Sequence, residues 1–172
     1  DISDDFFARE DIQSAGRTYV GVFASAAPSF VTALVRTAGA LLQGCRSLPL
    51  PQGADEGVRD PYWTLLQYFS SLRELGHAAT LVESDIPEYM WAIASRSHIP
   101  KELCRHLGAP VELTSRRNAQ EIPEILERLK VQYPRRERDE ARPLDTLLAT
   151  NMISVGVDVD RLGLMAIVGQ PK

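Results

Sequence analysis

Lysine is nearly missing from this sequence: of its 19 basic residues only Lys101, Lys130 and Lys172 are lysines, and the rest are arginines. Arginine suits bidentate phosphate contacts, and a GC-rich genome produces the same excess without any ligand. Cysteine is as scarce. Cys45 and Cys104 stand far apart with no metal-ligand spacing around them, which excludes a disulfide scaffold and points to a reducing, cytoplasmic setting. No apolar run approaches the ~18 to 20 residues of a membrane-spanning helix. The chain opens Asp1-Ile-Ser-Asp-Asp-Phe-Phe, with no basic leader followed by an apolar core, so no signal peptide is expected and the chain reads as a piece of a longer polypeptide.

Several catalytic signatures are absent as well. No Gly-x-x-x-x-Gly-Lys-Ser/Thr loop is present to cradle nucleotide phosphates, and no Asp-Glu-x-His or Asp-Glu-Ala-Asp run follows a strand to hold magnesium. His77, His98 and His106 are scattered; Cys104-x-His106 is a ligand pair without partners, so no metal site is expected. A Gly-x-Ser-x-Gly nucleophile elbow is lacking too. The net charge of -4, from 19 basic and 23 acidic residues, excludes a domain that wraps a polyanion by bulk charge; nucleic-acid contact has to be local.

What is present is ordinary globular material, 44% hydrophobic and 24% charged over 172 residues, the size of a single domain. Thr18-Tyr-Val-Gly-Val-Phe-Ala-Ser25 has the β-branched and aromatic character of a buried strand. Pro28-Ser29 opens a helix from Phe30 to Leu42 with Gly44 as its stop, and the Pro- and Gly-rich stretch from Ser47 to Pro61 predicts a surface loop. Tyr62 to Phe69 reads as a second strand, with Ser70-Ser71 capping a helix that begins Leu72-Arg-Glu-Leu. A further helix follows Ser84-Asp85 with Pro87 in its first turn. Val111 to Thr114 predicts a third strand, Gln120 to Val131 a helix with Pro123 in its first turn, Leu144 to Ala149 a fourth strand and Leu164 to Val168 a fifth. Between Pro134 and Pro143 the interleaved arginines and acids predict a solvated loop.

Strands separated by helices imply parallel crossovers and a mostly parallel sheet covered on both faces, an α/β fold. Ligands of such sheets sit beyond the carboxyl ends of the strands. The residues there are small and polar: Ser70-Ser71, Thr114-Ser115-Arg116, Thr150-Asn151 and Gly169-Gln170. Hydroxyls, a guanidinium and free helix amides suit a phosphate chain; equally, such residues simply cap helices.

The most informative stretch runs from Leu147 to Pro171. A strand ends in Ala149-Thr150, a turn of helix leads to Gly156-Val-Asp158, and a second apolar strand closes in Gln170-Pro171. This resembles motif V of superfamily 2 helicases. Thr64 to Leu75 resembles motif IV, an apolar strand running into a Ser-capped helix, and Glu112-Leu-Thr-Ser-Arg116 occupies the place of the next strand and its nucleic-acid-contacting turn. The wording Leu-Arg-Glu-Leu-Gly, Leu-Thr-Ser-Arg and Val-Gly-Val-Asp-Val-Asp-Arg-Leu-Gly is similar to the large helicases of DISARM-type phage-defence systems.

The resemblance covers Tyr62 to Lys172 and implies the second RecA-like domain of an ATP-dependent helicase, of the P-loop NTPase type without its own P-loop, truncated before motif VI. Residues 1–61 would be an extension contributing a strand and a helix, and residues 62–172 the motif IV to motif V core. The resemblance further implies that Thr150 and Asn151 contact a backbone phosphate of single-stranded nucleic acid, DNA ahead of RNA. Thr114, Ser115 and Arg116 would do the same from the neighbouring strand end, with Ser70 and Ser71 as a weaker third contact. Gly156 would allow close backbone approach, and Asp158 would face the ATP cleft. ATP and Mg would be held mainly by a first RecA-like domain, which is also the implied partner; no membrane is involved. Arg116, Arg117 and Arg161 do not match the arginine finger of motif VI, so no catalytic residue is expected within the chain and the piece alone should not hydrolyse ATP. Two other classes remain open: a catalytically inert α/β interaction module, and a mononucleotide-binding Rossmann-like domain, which would want a glycine-rich turn where Ala24-Ser-Ala-Ala-Pro28 stands.

Overall fold

A computed structural model describes residues 16–25, 27–118, 120–135, 141–150 and 159–169. Helix α1 spans Phe30–Ser47, capped by Ser29, whose hydroxyl accepts a hydrogen bond from the Thr32 amide at 3.1 Å. Gly44 does not end it. The helix runs on until Leu48 turns extended ahead of Pro49, because a residue before proline is driven out of the helical region. A 3-10 turn at Glu56–Arg59 leads directly into the short helix α2, Asp60–Trp63. Tyr62 and Trp63, expected at the start of a strand, are therefore helical, and β1 begins at Leu65 and ends at Phe69.

Helices α3 (Leu72–Glu83) and α4 (Asp85–Arg96) follow, then a 3-10 turn at Lys101–Leu103 and β2 at Val111–Leu113. Helix α5 spans Glu121–Leu129, β3 Thr146–Ala149 and β4 Met165–Val168. Among the described residues the sheet has four strands in the order β2-β3-β1-β4, all parallel. The path from β1 to β2 moves one way across the sheet with α3 and α4 on one face; the return from β2 to β3 carries α5 on the other. One crossover hand serves both.

The period-2 alternation of each strand divides the core in two. Leu65, Phe69, Leu148 and Val168 face α1, α3 and α4, and Leu66, Val111, Leu113, Leu147 and Ala149 face α5 through Ile125 and Leu129. Helices α1 and α4 meet at Gly39, where a Cβ would stand 2.9 Å from a ring carbon of Tyr89; the missing side chain permits the close crossing.

Two further expectations need correction. The segment Thr18 to Ser25 forms no strand: Tyr19, Val20, Val22 and Phe23 are all exposed, and a strand has no stability without an edge to pair with. Nor is the sheet covered on both faces throughout. Met165 and Ile167, on the α5 side of β4 beside Leu66 and Tyr68, are 51% and 55% exposed, because α5 lies over β2 and β3 and does not reach the β4 edge.

Candidate functional site

The carboxyl edge of the sheet gathers the residues singled out by the sequence. Leu113 of β2 is in register with Ala149 of β3, and Ala149 with Tyr68 of β1, so the next residues along, Thr114, Thr150 and Phe69, fall in one row, with Ser70 just beyond. Parallel pairing brings these ends together from positions up to 81 residues apart in sequence.

Thr114 is fully buried and Thr150 is 8% exposed. The Thr114 hydroxyl accepts from the Arg116 amide at 3.3 Å, and its carbonyl accepts from the Arg117 amide at 3.1 Å, a side-chain-braced turn of the kind threonine favours at strand ends. The turn turns Ser115 and Arg116 outward, and both are exposed. The groups at this edge that solvent or a ligand reaches are thus the Ser115 hydroxyl and the Arg116 guanidinium, with Thr114 holding them in place. Arg117 and Asn118 are drawn instead to Glu121 on α5, at 3.3 and 3.4 Å.

Ser70 and Ser71 are both engaged by Glu74. The two hydroxyls each donate to Glu74 Oε2 at 3.0 Å, and Ser71 accepts from the Glu74 amide at 3.3 Å. Ser71 thus caps the helix through the Glu74 amide, and the Glu74 carboxylate, held by the two hydroxyls, fills the first turn of α3. Asn151, Gly156 and Asp158, together with Gln170, lie outside the described residues. Among the described residues no group of three or more His, Cys, Asp or Glu is placed to hold a metal ion, and no helix is long and apolar enough to cross a membrane.

Pattern reading missed what happens at the opposite edge, where the strands begin. Arg161 chelates Asp60, with Nε at 3.1 Å and Nη2 at 2.6 Å from Oδ1, and also donates to the Thr64 hydroxyl and the Leu129 carbonyl. It is spent on the fold. Arg59 donates to the carbonyls of Cys45 and Leu48 and to Glu56. Arg105 binds Asp145, the carbonyls of Leu42 and Trp63, and packs its guanidinium 4.0 Å from the Trp63 ring centroid. Burial pushes the Cys45 thiol up from its ordinary value, against the opposing pull of Arg105 and Arg59. Arg59 lies in the stretch that reads as a surface loop and Arg161 in the motif V-like stretch, and no periodicity marks an arginine as buried.

The described residues define an α/β domain, an all-parallel sheet with helices on both sides and small polar residues at its carboxyl edge, a layout compatible with the RecA-like class. Over nearly its whole length the chain is similar to the DISARM protein DrmA of Bacillus paralicheniformis (strain ATCC 9945a / NCIMB 11709 / CD-2), 42% identical over 173 residues. The match takes in 99% of this chain, which spans 15% of that protein's length. It bears out the DISARM resemblance read in the sequence. No family model matches the chain.

Proposed function

We propose that this chain is the second RecA-like domain, through motif V, of an ATP-dependent helicase or translocase acting in DISARM-type phage defence. The observation that carries the reading is the register of β2 with β3, which sets the Thr114 turn and Thr150 side by side at the edge where α/β sheets bind ligands. Similarity to a DISARM protein supports the setting.

In this reading Ser115 and Arg116 contact the backbone phosphates of a single strand, DNA ahead of RNA, and the buried Thr114 positions them. Thr150 and Asn151 add a neighbouring contact. Ser70 contributes weakly, since Glu74 already holds it, and Ser71 serves mainly as the helix cap. Gly156 and Asp158 form one wall of the ATP cleft; ATP and Mg are held chiefly by a first RecA-like domain, and their chemistry is phosphoryl transfer to water. Contacts to phosphate carry no sequence information, which suits a protein that tracks along a strand.

The experiment is single-stranded DNA binding by the full-length protein that contains this chain, compared with its Arg116→Ala variant over a salt series. The reading expects weaker binding and a shallower salt dependence by about one phosphate contact. An unchanged affinity and slope contradict it and favour an inert interaction module.

A further inference from the structure

The amino edge of the sheet holds a second candidate site, on the side opposite the helicase-like residues. Trp63 precedes β1, Arg105 and His106 precede β2, and Arg142 and Pro143 precede β3. With Arg46 from the end of α1 and Tyr133 they line a cavity of about 320 Å³. One wall is aromatic: the Trp63 and Tyr133 rings stack at 3.6 Å with 7° between their planes.

The charge around this cavity is one-sided. Arg46, Arg105, Arg135 and Arg142 line it, and Glu102 is the carboxylate among the lining residues. Nearby carboxylates are already shared. Asp145 accepts from Arg105 and from the Gly108 amide, and Arg142 stands 3.3 Å from it. Glu56 accepts from Arg46, Arg59 and the Tyr133 hydroxyl. Arg105 is held on Asp145 and on two backbone carbonyls. Arg142 is different. Half-exposed at 50%, it sends Nη2 to Asp145 and the His106 carbonyl and keeps Nε and Nη1 without a partner among the described residues. Arg46, which donates from Nη1 to Glu56 and Tyr133 and from Nη2 to the Glu102 carbonyl, likewise keeps Nε. Burial lowers the pKa of Arg105 against the opposing pull of Asp145.

We infer that this cavity binds a phosphate group, with Arg46 and Arg142 as its charged ligands and Arg105 as a positioning residue that fixes the Trp63 wall. The N–H groups left over, Nε and Nη1 of Arg142 and Nε of Arg46, come from different elements and donate singly, which suits the several oxygens of a phosphate better than a carboxylate, whose two oxygens one guanidinium fork satisfies. The cavity is larger than one phosphate ion, so the group arrives as an ester. Two sources share that chemistry: a phosphate of a nucleic-acid strand and a free phosphomonoester.

The test uses the 172-residue chain with Trp91→Phe, which leaves Trp63 as its sole tryptophan. Inorganic phosphate is titrated while Trp63 fluorescence is followed, with potassium chloride at matched ionic strength as the control. The expected result is a saturable change with phosphate alone, its midpoint raised at least about tenfold in Arg142→Gln. Arg46→Gln serves as the second variant, and melting curves confirm that each is folded. Displacement by an oligonucleotide whether or not it carries a 5′-phosphate assigns the backbone as the source; displacement only by the 5′-phosphorylated form assigns a terminal phosphate; displacement by adenosine monophosphate alone assigns a free ester. Arg73→Ala, at an exposed arginine outside both sites, leaves the phosphate response unchanged. No saturable change in the folded chain, an equal response to chloride, or an unaltered midpoint in folded Arg142→Gln overturns the inference.

Discussion

Arg105 and Asp145 form an ion pair that the solvent scarcely touches: Nη2 lies 2.9 Å from Oδ1, with the two side chains 1% and 3% exposed. The same carboxylate accepts from the Gly108 amide at 2.8 Å through Oδ2, so one aspartate ties the run into β2 to the start of β3. Removing one member of such a pair leaves the other buried and uncompensated, a far larger effect than the net worth of the pair. Asp145→Asn is expected to lower stability by about 3 to 5 kcal/mol. Urea denaturation followed by circular dichroism checks it; a loss below about 1 kcal/mol, the range of a surface pair, contradicts the structural role.

Ser71 and Ser70 both reach Glu74, yet only Ser71 also accepts a helix amide. Ser71→Ala should therefore cost about 1 kcal/mol, and Ser70→Ala a few tenths, the worth of an exposed contact. Equal losses in thermal melts would mean that the capping assignment is wrong.

Gln67 sits in the middle of β1, fully buried among Leu65, Phe69 and Leu148. Both polar atoms of its amide lack a hydrogen-bond partner among the described residues, as does the hydroxyl of Thr146, on the same face. An unsatisfied buried amide opposes folding. Gln67→Leu is expected to raise stability by about 1 to 2 kcal/mol, read as a higher denaturation midpoint with an unchanged slope. A lower midpoint would show that the amide has a partner.

Alkaline pH should weaken the fold. Burial raises the Cys45 thiol above its ordinary 9.0 and the Tyr133 hydroxyl above its ordinary 10.0, the latter reinforced by its hydrogen bond to Glu56. The folded state then holds both protons more tightly than the unfolded state. Their contribution is fully present below about pH 9 and is lost as the pH rises through the two raised values. Melting temperatures measured at about pH 8 and about pH 10.5 should fall, and less steeply in Cys45→Ala. Parallel curves for the two proteins would remove Cys45 from the account.

Most of the layout is legible in the sequence because it rests on local rules. Ser29 and Ser71 announce their helices as caps, Pro87 and Pro123 fall in first turns, and the apolar runs at 62–69, 144–149 and 164–168 contain the parallel strands at 65–69, 146–149 and 165–168. What fails depends on distant partners. Thr18 to Ser25 has the composition of a strand, but composition does not supply an edge. Since α1 shares a face with α3 and α4, the crossover hand that orders this sheet would send a strand preceding α1 past β1 to the β4 side, and no described residue pairs with β4 there. The site is half legible for a similar reason. The strand-end rule locates Thr114 and Thr150 without the structure, whereas the burial of Thr114 beneath Ser115 and Arg116 is set by its turn. The arginine-lined cavity, assembled from residues 46, 105 and 142, follows no period at all.

The proposed coupling of nucleic-acid contact to ATP hydrolysis is read from DNA-stimulated ATP hydrolysis by the full-length protein, wild type against Thr150→Ala and Asp158→Ala. Stimulation is expected to drop about tenfold or more in each variant, equivalent to about 1.4 kcal/mol of lost transition-state stabilisation. Stimulated turnover equal to wild type in both variants would contradict it.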